Sequence, residues 1–232
     1  MSNLSEELAS RGSKLCMQVC VNNIEDVFGR DKKTISRRSR KNLLDDLIGE
    51  GEIKWLSPLS NENYREYQLN EISNKYPEEM GLESFDWGFW PFPRQPQWDA
   101  IGINSESTLF LVEAKAHTSE IEGPGTQAGE KSKGKIKEEI EAVMGNDPIW
   151  MNKYYQTANR ILFLDKLIKH YGDKRRVVLV FLNFTNDVTY TPEDLETWEK
   201  YLNTMKSEHV FPKVYESNIK YVYMDIWNDK GV

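Results

Sequence analysis

Apolar residues recur along this chain at two spacings, three to four and two, and the alternation between them sketches an α/β protein. Leu15, Cys16, Val19, Cys20, Ile24, Val27 and Phe28 fall at helical spacing and predict a helix over 13–28. A second helix is expected over 34–48, with Leu43, Leu44, Leu47 and Ile48 inward and Gly49 ending it. Residues 49–64 read as strand and turn around IKWL and SPLSNEN, and 65–73 as a short helix closing near Tyr76-Pro77. The segment SFDWGFWPFPRQPQW (84–98) holds three tryptophans, three phenylalanines and three prolines. Its prolines forbid a regular helix or central strand, so it reads as an extended aromatic stretch packed on the core, with the lining of a pocket as the second role expected of part of it.

The second half of the chain is more regular. Asp99, Ile101 and Ile103 alternate with Ala100 and Gly102, a polar NSES turn follows, and LFLVEAK has the continuous apolar run of a strand buried on both faces. Residues 118–134, rich in Gly, Ser and Lys, suggest a mobile loop. Ile136, Ile140, Val143 and Met144 mark a helix stopped at Gly145, and Trp150 to Tyr171 a long amphipathic helix before Gly172. VVLVFLNF is another buried strand, Thr191-Pro192-Glu193-Asp194 a helix start with Thr191 as cap, and IKYVYMDI a late strand. The sum is a mixed central sheet flanked by helices, with a helical N-terminal arm (1–48) packed on an α/β core (49–232) as one globular domain.

Composition adds limits. The 232 residues are 39% hydrophobic, too many for a mostly disordered chain, and no apolar run is long enough to span a bilayer. The opening MSNLSEELAS lacks the apolar core of a signal peptide, and Cys16 and Cys20, one helical turn apart, make neither a disulfide framework nor a zinc ribbon, so a cytoplasmic setting is expected. The net charge of −7 argues against a protein that simply coats DNA. Yet seven basic residues and one acid fall between Arg30 and Lys41, so charge alone does not decide the partner. Lys32, Lys33, Arg37, Arg38, Arg40 and Lys41 are the candidate phosphate-tracking surface, a solvated helix face being the competing account.

The hairpin carries the chemistry. With a three-residue turn at Ser105-Glu106-Ser107, position 104 pairs with 108 and Asp99 lies directly opposite Glu113. Opposed side chains have Cβ atoms ~4.5–5.5 Å apart, so both carboxylates can grip one cation. Two neighbouring buried carboxylates repel, which a divalent ion relieves; oxygen ligands suit Mg²⁺. Lys115 shares the Glu113 face and would reach over the same point.

PQWDAIG followed by LFLVEAK resembles the PD-(D/E)xK nuclease superfamily, with its restriction-endonuclease-like fold, over roughly residues 60–185. The resemblance implies that Asp99, Glu113 and Lys115 are catalytic, that Asp99, Glu113 and the backbone carbonyl of Ala114 hold Mg²⁺ or Mn²⁺, and that a further acid joins them. Glu66 is the first choice for that acid, with Glu50 and Glu62 as alternatives. It also implies a supporting residue on the long helix, where Lys153, Gln156, Asn159 and Arg160 share a polar stripe and Gln156 is the candidate. His117 continues the 113/115 face as a second supporting residue or a plain strand-end histidine. The departure is Trp98 beside the aspartate, with Pro96 upstream.

Acid-x-Lys also occurs at Asp31/Lys33 and Glu52/Lys54, but of the three only Glu113/Lys115 ends an apolar strand that follows an aspartate-led one. The expected function is therefore metal-dependent hydrolysis of nucleic-acid phosphodiesters, DNA in preference to RNA, without a membrane partner. Many such nucleases act as homodimers, although no stretch here marks an interface. The alternative is a catalytically silent module of the same fold that binds nucleic acid or protein.

Overall fold

The computed structural model describes residues 8–24, 39–91, 93–209 and 211–227. In chain order its main elements are α1 (Gly12–Asn22), α2 (Arg40–Ile48), β1 (Ile53–Ser57), β2 (Tyr67–Gln68), α3 (Leu69–Lys75), α4 (Pro77–Met80), β3 (Gln97–Trp98), β4 (Ala100–Asn104), β5 (Leu109–Lys115), α5 (Glu130–Met144), α6 (Tyr155–Tyr171), β6 (Val177–Phe184), α7 (Leu195–Glu208) and β7 (Ile219–Met224). β1, β4, β5, β6 and β7 form one sheet in that spatial order. β4 runs antiparallel to both of its neighbours, β1 and β5, whereas β5, β6 and β7 are mutually parallel, joined by helical crossovers. The mixed sheet flanked by helices is therefore as the apolar pattern predicts.

The pleat of β5 divides two apolar layers. Leu109 and Leu111 pack with α5, α6 and α7, through residues such as Ile140, Phe163 and Trp198. Phe110, Val112 and Ala114 point to the other face, against Cys16, Cys20 and Leu44 of α1 and α2. By the same alternation Glu113 and Lys115 belong to the α5–α6–α7 face. The aromatic segment does both things expected of it. Phe85, Phe89, Trp90 and Trp98 are buried in the core, and Trp90, Pro91, Pro93 and Pro96 border a cleft.

Several element bounds differ from the sequence expectation, each for a local reason. α1 stops at Asn22 because Asn23 adopts a left-handed conformation (φ 49°); residues 25–28 of the expected helix lie outside the described residues. α2 is described from Arg40, where Ser39 caps it by accepting the Asn42 amide at 3.3 Å; residues 34–38 of the expected helix lie outside the described residues. α5 starts at Glu130, inside the stretch expected as loop, and a 3₁₀ turn occupies Thr118–Glu120. Asp147 caps a separate 3₁₀ turn at Pro148–Met151, so α6 proper starts at Tyr155 and not at Trp150. α7 is capped by Asp194, whose side chain accepts the Thr197 amide, and not by Thr191; the carboxylate of Glu193, between them, accepts two bonds from Thr118, at 2.7 and 3.0 Å. Among the described residues no helix is long and apolar enough to cross a membrane.

Candidate active site

The β4–β5 hairpin has the expected three-residue turn. Asn104 closes it, its side-chain oxygen accepting the amides of Glu106 (3.1 Å) and Thr108 (2.9 Å) while Ser107 takes a φ of 63°. Ala100 pairs with Val112, so Asp99, one residue outward, lies across from Glu113. Asp99 is the bend between β3 and β4, and its carboxylate accepts the Ala114 amide at 2.7 Å in place of a backbone acceptor.

A second ladder meets at the same residue. β2 pairs with β3 through Tyr67 and Trp98, so Glu66 lies one step outward opposite Asp99 from the other side. Glu66 thus reaches the cleft from an extended segment just before β2, not from the expected helix, which begins only at Leu69. Its carboxylate is paired with Lys14 of α1 at 3.2 Å. The alternatives lie elsewhere. Glu50 is bound by Lys220 (2.6 Å) and Arg176 (2.7 Å), and its carbonyl meets Asn104 at the far end of β4. Glu62 is taken up by Tyr67, Tyr76 and Lys75.

Glu113 is 4% exposed and ion-paired on both oxygens, with Lys115 Nζ at 2.7 Å on Oε1 and Arg160 Nε at 2.5 Å on Oε2. Lys115 also donates to Gln156 Oε1 at 3.0 Å, which places Gln156 where the sequence expected it. Arg160, one turn further along α6, is the residue the sequence reading did not single out. It lies over the Trp98 ring at 4.5 Å and donates to the Gln97 carbonyl at 2.7 Å. Its only signal was membership of the polar stripe containing Gln156. Asn183, buried on β6, stands beside Lys115 in the parallel register.

The charges are unevenly matched. Burial and the facing charge of Glu113 push Asp99 up to about 7. Burial also pushes Glu113 up, but Arg160 and Lys115 outweigh it and hold the carboxyl below its usual range. Lys115 goes the other way: burial favours the neutral amine, yet Glu113 and Asp99 keep the ammonium above its ordinary pKa. Among the described residues no cationic side chain is in ion-pair contact with Asp99. The site sits in a cleft of about 790 Å³ walled by the proline-rich 90–97 segment, the 123–129 loop and α6.

Two groups of candidates do not join it. His117 caps the turn after β5, its Nδ1 accepting the Ser119 amide at 3.2 Å and its Nε2 lying 3.0 Å from Glu193, so its ring is occupied outside the cleft. Arg40 donates to the carbonyls of Ile24 (3.0 Å) and Ile226 (3.3 Å), and Lys41 pairs with Asp45. Both belong to α2, across the sheet from Glu113, where Arg40 ties chain segments together and Lys41 pairs within the helix. Lys32, Lys33, Arg37 and Arg38 lie outside the described residues.

Among the described residues no three His, Cys, Asp or Glu side chains are gathered as a metal cage. The donors still suit a hard cation, because Mg²⁺ commonly takes one or two carboxylates and completes its shell with water and substrate oxygens. Asp99, Glu113 and the Ala114 carbonyl supply oxygen only, and among the described residues Asp99 is the carboxylate of the two without an ion-pair partner. No family model, curated protein or solved structure matches this chain.

Proposed function

We propose that this chain is a divalent-metal-dependent nuclease of the restriction-endonuclease-like kind, hydrolysing phosphodiester bonds of nucleic acid, with DNA as the expected substrate. The observation that carries the reading is the register of the hairpin. It sets Asp99 opposite Glu113 at the end of a buried strand, with the Lys115 ammonium on the same carboxylate and a cleft in front.

Asp99, Glu113 and the Ala114 carbonyl would hold the ion, with Glu66 one strand away as the further acid. Once bound, such an ion lowers the pKa of a water and polarises a phosphoryl oxygen. The chain's own residues do the rest. Lys115, whose ammonium Glu113 and Asp99 hold above its ordinary pKa, stands as a cation toward the phosphate. Gln156 fixes the position of that ammonium. Arg160 holds one oxygen of Glu113 and orients the other, and is itself seated on Trp98.

Purified protein should cut plasmid or single-stranded DNA with Mg²⁺ or Mn²⁺, and Lys115→Ala should lose cutting while its thermal melt stays cooperative. Equal cutting by both proteins overturns the proposal. One observation favours a second reading, a catalytically silent binding module: both oxygens of Glu113 already carry cationic partners. Calorimetric titration with Mn²⁺ separates the two. Binding that is lost in Asp99→Asn supports the nuclease, and the absence of any binding supports the module.

A further inference from the structure

Beside the cleft lies a second cavity of about 340 Å³, lined by Trp87, Gly88, Trp90, Pro91, Gln95 and Lys135. Trp90, Pro91 and Gln95 border both spaces, so the cavity opens from the cleft wall. Its size is at the lower end for a small-molecule pocket, room for a single ring system. Its walls are tied to the core. Trp90 donates its indole N–H to the Arg94 carbonyl at 2.7 Å and packs against Phe163 at 5.1 Å. Trp87 is partly exposed, with the Phe85 ring edge-on at 4.5 Å. The cation at the rim is Lys135, an exposed residue of α5 anchored on the Gly88 carbonyl.

We propose that this side cavity is a subsite for one unpaired nucleobase next to the scissile phosphate, and hence that the substrate is single-stranded nucleic acid. The identity of the ligand rests on the nuclease reading; the aromatic cavity itself does not. Two indoles and a proline make a surface for a flat heterocycle, and stacking tolerates any base because every base has a π-face. Lys135 stands where a backbone phosphate would follow that base.

Charge points the same way. The chain is net −7, and the two cations deepest in the cleft, Lys115 and Arg160, are committed to Glu113. Binding here therefore leans on stacking more than on phosphate neutralisation, which dominates duplex affinity. A base inside a duplex reaches a side cavity only after being unstacked and unpaired, whereas a single strand offers it already free.

The test uses the full chain in EDTA with a short fluorescein-labelled deoxyoligonucleotide of mixed sequence, single-stranded or annealed to its complement. The single strand should bind at least about tenfold tighter. Trp87→Ala should weaken it about 5- to 150-fold, the range seen when one stacking aromatic is removed, and leave duplex binding within about twofold. Should Trp87→Ala fold poorly, Lys135→Ala replaces it. This variant should lower the slope of log affinity against log salt by about 0.7 for the single strand. Duplex bound as tightly as single strand, or single-strand affinity and slope unchanged in the variants, overturns the subsite. Cleavage with Mg²⁺ then separates the two readings. Duplex and single strand cut equally well, with Trp87→Ala without effect, leaves the nuclease standing and the subsite refuted. Trp87-dependent strand binding without any cutting does the reverse.

Discussion

Arg160→Met tests the ion cluster directly, because methionine keeps most of the side-chain length and removes only the guanidinium. Glu113 and Arg160 are 4% and 6% exposed, so the variant leaves a buried carboxylate short of one partner. Removing one member of a buried pair costs about 3–5 kcal/mol. Lys115 remains on the other oxygen at 2.7 Å, which moves the expectation toward the low end. The Gln97 carbonyl and the Trp98 ring face also lose their cation, adding about 1–2 kcal/mol between them. The expected loss is about 3–5 kcal/mol. For a chain of 232 residues this lowers the melting temperature by about 6–20 °C. Urea unfolding at neutral pH, followed by tryptophan fluorescence, measures it. The double variant Glu113→Gln/Arg160→Met should regain a substantial part of the loss, because the stranded charge is then gone. A loss below about 1 kcal/mol in the single variant refutes the reasoning. So does a double variant whose loss equals the two single losses combined.

Asp99→Asn keeps an oxygen for the Ala114 amide but has no charge to bury. Because the native carboxyl titrates near 7 and the unfolded one near 3.8, the native state holds the extra proton between those values. Wild-type stability therefore falls as pH rises through that window, and the advantage of Asp99→Asn grows toward a few kcal/mol above it. Urea unfolding in EDTA at pH 4 and pH 8 checks this; an advantage equal at both contradicts the assignment. Gly102→Ala should cost about 1–3 kcal/mol, since a Cβ there would lie 2.6 Å from Ile53 Cγ2 and 2.9 Å from Trp55 Cε3, with backbone at 3.3 Å behind them. A neutral result in thermal melts would mean that β1 and β4 are less closely packed than described. Asp194→Ala removes the acceptor of the Thr197 amide at 2.9 Å and should destabilise by about 1 kcal/mol, whereas Thr191→Ala should have no comparable effect. The same melts distinguish the two caps.

The parts of the site legible in the sequence are those set by strand period and turn length. Asp99, Glu113 and Lys115 follow from a hairpin whose turn Asn104 closes locally, so the register is encoded within a few residues. Gln156 was legible as one position on a polar stripe of a long helix. Arg160 on the same stripe could not be ranked above Lys153 or Asn159, because what distinguishes it is tertiary. Its partners Glu113, Gln97 and Trp98 come from strands placed by the β5–β6 crossover and the bend at Asp99. Glu66 was legible as a residue but not as an element. Two-residue strands are too short to leave a periodic signature, and the β2–β3 ladder exists because Asp99 turns the chain from one sheet into the other. The cap of α7 is Asp194 and not Thr191, and Glu193 between them is bound by Thr118, some seventy-five residues away, a tertiary contact that local preference does not show.

Stability does not account for what lies at the bottom of the cleft. Buried ion pairs cost about as much in lost hydration as they return in attraction, and apolar residues of similar shape often serve as well or better. Here Glu113 with its two cations stands beside Asp99, which has no cationic ion-pair partner among the described residues, in a sheet whose neighbouring positions are apolar. The same face of β5 is apolar at Leu109 and Leu111 and becomes charged only at Glu113 and Lys115, where the strand reaches the cleft. Those charged residues are present at a cost to the fold, at the one end of the strand where a ligand has access. That placement is what the proposed role toward a polar ligand requires, and a merely structural ion cluster would not need it at that end of the strand.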